Sequence, residues 1–256
     1  MSRSFTFAFS SILLVLALFV AGCKSAEPLG EDSRSPNYVV PPLFDPSDPA
    51  MQVPQTTTFS SDLDVDSLLS SMSLHDKIAQ LFVVPAYGTF TNQNEPRYLR
   101  LKRLVAEQNV GGIIFMQGDI YGQAMMTNEL QSLAKIPLWI TQDMEFGAAM
   151  RVRGTTRFTP AMGIAATQNP ENAYQKGVIT AREAKALGVH QVFAPVLDVN
   201  NNPDNPVINV RSFGGVPEIV AEFGNYFIRG IESEGILATA KHFPGHGDTD
   251  TDSHLA

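Results

Sequence analysis

Five short apolar runs, separated by stretches of helical periodicity, predict an α/β chain with a parallel sheet. Polar or charged residues recur just past several of these runs, at Gln142–Asp143, Asp198–Asn200 and Lys241–His242. Barrels and doubly wound sheets both build their sites from such C-terminal strand ends. No Gly-x-Gly-x-x-Gly follows the first run, which weighs against a dinucleotide-binding sheet and favours a (β/α)8 TIM barrel. A closed barrel needs eight strands and roughly 250 residues. The expectation is therefore an incomplete barrel of about five β/α units within residues 61–256, the N-terminal part of a longer domain.

Each element has a local reason. Ser73-Leu-His-Asp76 is a capping-box-like helix start, with Leu74, Ile78 and Ala79 expected on the inner face. Leu81–Ala86 is the first strand. Arg97–Gln108 carries Leu101, Leu104 and Val105 at helical spacing, and Asn109 is a stop. Gly112–Met116 is the second strand, Gly122–Leu133 a helix, and Pro137–Thr141 the third strand. Asn169-Pro170-Glu171 opens a helix that reaches Leu187, and Val192–Asp198 is the fourth strand. Asn200–Asn205 forms a loop of side-chain-to-backbone turns. Pro217 opens the next helix and Gly235 ends it; Leu237–Lys241 is the fifth strand, and the short apolar run Ile236–Ala240 that leads to Lys241 reads as buried on both faces.

The first 60 residues do not belong to this pattern. A short apolar block, Ile12–Ala21, follows Arg3 and ends in Val20-Ala21-Gly22-Cys23, which is too short to span a membrane and fits a signal peptide, residues 1–23. The Val-Ala-Gly-Cys string resembles a bacterial lipobox, in which the cysteine is lipidated. Cys23 is the only cysteine, so no internal disulfide forms. Residues 24–60 are rich in Pro, Ser, Thr, Asp and Glu and predict a disordered, extended tether. The implied product is exported and anchored to a membrane through its lipid, on the periplasmic or cell-surface face. A net charge of −8 without a basic patch argues against a nucleic-acid partner.

The titratable residues concentrate after the fifth strand, in Lys241-His-Phe-Pro-Gly-His-Gly-Asp-Thr-Asp-Thr-Asp-Ser-His254. In an extended loop Asp252 and His254 point the same way, so the carboxylate can hold one imidazole nitrogen and leave the other to move protons. A solvated acidic loop is the plain alternative. Asp248-x-Asp250-x-Asp252 has the oxygen spacing of a calcium loop start, but position six is Ser253 and not glycine. His242 and His246 are spaced as helical zinc ligands, yet Pro244 and Gly245 lie between them, so neither a metal nor a cofactor is expected. Asp143 could accept hydrogen bonds from substrate hydroxyls or merely cap a helix or a loop. Arg211 offers a fork of donors, or a salt bridge to a carboxylate such as Asp198, and Lys241 could be an interior ion pair.

These blocks together resemble glycoside hydrolase family 3, in its β-N-acetylglucosaminidase branch. They are Met72–Phe82, Gly111–Phe115, Asp143-x-Glu145-x-Gly147, Phe193–Asp198, Val210–Phe213, and Lys241–Gly247 with Asp252-Ser-His254. The resemblance implies that Asp143, Arg211, Lys241 and His242 grip the sugar beside the scissile bond. It also implies that His254, oriented by Asp252, is the general acid/base. Phe146 stands where the family commonly has glycine, and the family's aspartate nucleophile lies on a later strand than any present here. The implied activity is a retaining β-N-acetylhexosaminidase acting on peptidoglycan-derived or chitin-like amino-sugar glycans. Alternatives are a non-catalytic amino-sugar-binding lipoprotein, a β-glucosidase-type relative and a metal-dependent hydrolase.

Overall fold

A computed structural model describes residues 65–255. The signal segment with Cys23 and the tether lie outside the described residues. Four strands lie side by side in one parallel sheet, in the order β1 (Val83–Gly88), β2 (Gly112–Asp119), β3 (Trp139–Gln142) and β5 (Gln191–Val192). A short β4 (Val152–Arg153) pairs with the far end of β2. Parallel neighbours in chain order with helices between them are the signature of a barrel under construction. The fold is TIM-barrel-like α/β, with about five of its units here, as expected.

The fifth predicted strand is present as a ladder without a continuous strand. Leu237 bridges Gln191 and Lys241 bridges Val196, both parallel. Between them Val192 N–H donates to the Leu237 carbonyl at 2.9 Å, and Thr239 N–H donates to the Ala194 carbonyl at 2.9 Å. The expected Val192–Asp198 strand shortens to two regular residues because Pro195 has no N–H to give to a ladder. The extended chain beyond it still carries Asp198 to the same end of the sheet as Lys241.

The helices are α1 (Val65–Ser71), α2 (Leu74–Ala79), α3 (Pro96–Ala106), α4 (Ile120–Leu133), α5 (Ala161–Ala165), α6 (Glu171–Ala186) and α7 (Pro217–Glu232). Ser73 caps α2 as predicted, accepting from the Asp76 N–H at 3.1 Å. Two details of that region differ from expectation. Only Ala79 of α2 is buried, while Leu74 and Ile78 stay exposed. The first strand begins at Val83 and not Leu81, because the Leu81 and Phe82 N–H groups close a last turn onto the carbonyls of Ile78 and Ala79. Asn109 does stop α3, with φ 57°. Asp119 caps α4 two residues earlier than predicted, accepting from the Gly122 N–H at 2.8 Å.

The core sits between the sheet and these helices and includes Ile113, Phe115, Ile140, Val192, Phe227 and Ile231. Helix α7 buries Val220, Phe223, Phe227 and Ile231 along one face, a helical period. It packs closely on α6. A methyl group on Gly177 would meet the Phe227 carbonyl, and one on Gly230 would meet the Tyr174 carbonyl, so the two backbones touch where side chains are absent. Among the described residues no helix is long and apolar enough to cross a membrane.

Candidate active site

The site is assembled at the C-terminal ends of β3, β5 and the ladder at Lys241. Past Gln142 the chain turns sharply. The Gly147 N–H donates to the Met144 carbonyl at 3.1 Å, and Gly147 takes φ 84°, which glycine enters freely. Met144 is fully buried, and Asp143 and Glu145 on either side of it both face Lys241. The Lys241 ammonium lies 3.0 Å from Asp143 Oδ1 and 2.7 Å from Glu145 Oε1.

Two arginines complete this cluster. Arg211, on a 3-10 turn at Asn209–Arg211, forks onto Glu145 with two bonds of 2.9 Å each. Arg151 reaches Asp143 Oδ2 at 2.6 Å. Arg211 therefore does ion-pair, but with Glu145 and not with the expected Asp198. The i, i+2 spacing of Asp143 and Glu145 places both carboxylates within reach of one cation. Burial alone would raise Glu145; the Arg211 fork and the Lys241 charge outweigh it and hold the carboxyl down to about 2. Its folded value lies below the usual 4.5, so the ionised form stabilises the fold above that pH and the stabilisation is lost as pH falls through about 2. The same bonds raise Arg211. On α6, buried Lys176 gives a bond of 3.3 Å to the Thr159 carbonyl, with its ammonium 5.7 Å from the Phe227 ring centre. Burial pulls it down to about 8, against the upward pull of the Glu145 charge.

His242 follows Lys241 and is held differently. Its Nδ1 lies 2.6 Å from Oδ2 of buried Asp198, which leaves Nε2 for another partner. The other Asp198 oxygen accepts the His246 N–H at 2.6 Å, and the Asp198 carbonyl accepts the Ser212 hydroxyl at 2.5 Å. The Asn200–Asn205 loop makes the expected turns: Asn205 Oδ1 accepts from the N–H groups of Val207 at 2.9 Å and Ile208 at 2.7 Å.

The Asp252–His254 pair also forms. Asp252 Oδ1 lies 2.7 Å from His254 Nδ1 and accepts the His254 N–H at 2.9 Å. These bonds, the backbone one first, lower the Asp252 carboxyl, and with Nδ1 turned to Asp252 the Nε2 atom is left for another partner. The His254 side chain is 73% exposed, on a loop that leaves the strand end bearing Lys241 and His242. Among the described residues no group of three or more His, Cys, Asp and Glu side chains is arranged to hold a metal ion.

The six predicted residues thus fall into two groups that, among the described residues, are joined through the 242–254 loop. Asp143, Arg211 and Lys241 share one ion-pair cluster with Glu145, and His242 stands beside it on Asp198; Asp252 and His254 form their own pair. Glu145 and Asp198 stand in the strand-end motifs of the sequence without a role of their own there, and Arg151 is not apparent from sequence. The Asp-x-Glu spacing carries a signal for Glu145. Nothing local marks Arg151, whose role depends on the chain folding back after the 3-10 turn at Ala148–Met150.

Known proteins show which family the chain is similar to. Residues 73–256 match the glycosyl hydrolase family 3 N-terminal domain. A β-N-acetylglucosaminidase/β-glucosidase of Cellulomonas fimi is 34% identical over 191 residues, 75% of this chain and 33% of that protein. The β-hexosaminidase A of Pseudoalteromonas piscicida is 40% identical over 167 residues, 60% of this chain and 28% of that protein. Among solved structures, a family 3 β-N-acetylglucosaminidase from Paenibacillus sp. str. FPU-7 superposes with TM-score 0.61 and 40% identity, over 72% of this chain and 35% of that one. The chain spans about a third of the length of these proteins. It belongs to glycoside hydrolase family 3 and carries the family's N-terminal domain fold over residues 73–256.

Proposed function

We propose that the protein carrying this chain is a retaining β-N-acetylhexosaminidase that removes terminal, non-reducing β-linked N-acetylglucosamine from peptidoglycan-derived or chitin-like glycans. The observation that carries this reading is the bond between Asp252 and His254, which poises an imidazole as acid/base on the loop leaving Lys241. Asp143, Lys241, Arg211 and His242 would hold the sugar hydroxyls. Glu145 would keep the two cations in place, and the Arg151 Nε, buried without a partner among the described residues, is a further donor beside Asp143.

In the first step an aspartate on a later strand, as the family resemblance implies, attacks the anomeric carbon while His254, as the imidazolium, gives its Nε2 proton to the departing glycosidic oxygen. In the second, His254 takes a proton from the water that displaces the aspartate. A neutral imidazole does not repel an anionic acceptor, so phosphate is the natural competitor of that water.

The test is turnover of p-nitrophenyl β-N-acetylglucosaminide by the full-length protein. We expect activity indifferent to EDTA and lowered about 10²- to 10⁴-fold by His254→Ala. Undiminished turnover in that variant would refute the assignment, and sugar 1-phosphate as the product in phosphate buffer would make the enzyme a phosphorylase. We further propose anchoring through lipidated Cys23, supported by the lipobox; labelled fatty acid that still incorporates into Cys23→Ala would exclude it.

A further inference from the structure

His246 lies between the two halves of the site and has no part in the steps above. Its backbone N–H is bound to Asp198, the residue that also holds His242. Its ring is bound at both nitrogens. Nδ1 is 2.5 Å from the Thr249 hydroxyl and Nε2 is 3.1 Å from the Ser253 hydroxyl. The Thr249 hydroxyl already donates to the His246 carbonyl at 3.1 Å, so Nδ1 is the donor to Thr249 and Nε2 accepts from Ser253.

Ser253 is the residue between Asp252 and His254. The other hydrogen bonds of residues 250–255 stay within that turn: Thr251 to Asp250, and the N–H groups of His254 and Leu255 to Asp252. Among the described residues the His246–Ser253 bond is therefore the tie from the acid/base turn to the body of the protein. The stem of the loop is anchored separately. Asn205 Nδ2 reaches the His246 carbonyl at 2.6 Å, and Asn202 Nδ2 reaches the carbonyls of Asp248 and Thr249 at 3.2 Å each.

We propose that His246 is a positioning residue: it pins Ser253, and with it the Asp252–His254 pair, to the Asp198–His242 wall of the sugar site. The inference rests on His254 being the acid/base. A pinned turn presents the acid at a fixed place above the glycosidic oxygen. Without the pin the stem stays anchored and the sugar grip stays whole, but His254 samples unproductive positions. Loss of one such bond, with the misplacement it allows, lowers proton delivery between about fivefold and a hundredfold.

The experiment compares kcat/KM of the full-length protein on phenyl and 2,4-dinitrophenyl β-N-acetylglucosaminides, since only the poorer leaving group needs protonation. His254→Ala is expected to lose far more on the phenyl substrate. His246→Ala and Ser253→Ala should each show the same selective loss, about fivefold to a hundredfold, with KM little changed. The double variant should be no worse than either single one, and Ser253→Thr, which keeps the hydroxyl, should retain activity. Equal losses on both substrates, or no loss in Ser253→Ala, would overturn the proposal while leaving His254 in its role. If His254→Ala itself shows no dependence on the leaving group, the acid/base assignment falls and the pin falls with it.

Discussion

Glu145 and Lys176 are two buried charges with opposite outcomes. Glu145 is compensated by bonds from two cations, whereas Lys176 has one long bond to a carbonyl and a ring face. Its value falls from 10.5 to about 8, so the fold carries the buried ammonium at a cost of about 3 kcal/mol at neutral pH. The folded value is the lower one. The cost is therefore complete below pH 8 and fades between about 8 and 10.5, where the folded chain has lost the proton and the unfolded chain still holds it. Lys176→Met should raise thermal stability by about 1–3 kcal/mol at pH 7 and by much less at pH 10. A thermal-shift comparison at the two pH values checks this; an equal gain at both would mean that packing and not charge is responsible.

At the scale of elements, the contact between α6 and α7 depends on Gly177 and Gly230. Alanine is the better helix former by about 1 kcal/mol, but here its methyl group meets the Tyr174 carbonyl. Gly230→Ala should cost about 1–3 kcal/mol net, read as a lower melting temperature of the full-length protein. An unchanged temperature would mean that the helices separate easily. These helices were legible in sequence because Asn169-Pro170-Glu171, Pro217 and Gly235 are local signals. The parallel strands were legible as apolar runs, but their ends were not. Leu81 and Phe82 look like strand residues by composition, and a closing helical turn takes them instead. β4 and α5 are too short to show a period. Within the site, Asp143, Arg211 and Lys241 could be picked by type and by motif. Which carboxylate Arg211 meets depends on how a 3-10 turn after residue 208 aims it, and no local pattern encodes that aim.

For the whole molecule, the sheet has an open side. Among the described residues β1 pairs only with β2, and Leu81, Phe82 and Tyr87 are exposed near its free edge. An uncovered apolar edge invites association with other chains. Residues 61–256 expressed alone should therefore lack a sharp two-state thermal melt and should aggregate at micromolar concentration; a single cooperative transition of a monomer would contradict this. The ion-pair cluster has a consequence for the order in which the molecule forms. Lys241 lies 98 residues from Asp143, and Arg211 lies 66 from Glu145, so large loops must close before any of these charges meets its partner. On a growing chain the two carboxylates leave synthesis first and remain hydrated while their cations are still to come. A collapse that sealed them in early would trap unpaired charge, so this ion-pair cluster is expected to be among the last parts of the domain to lock and the first to open when it unfolds.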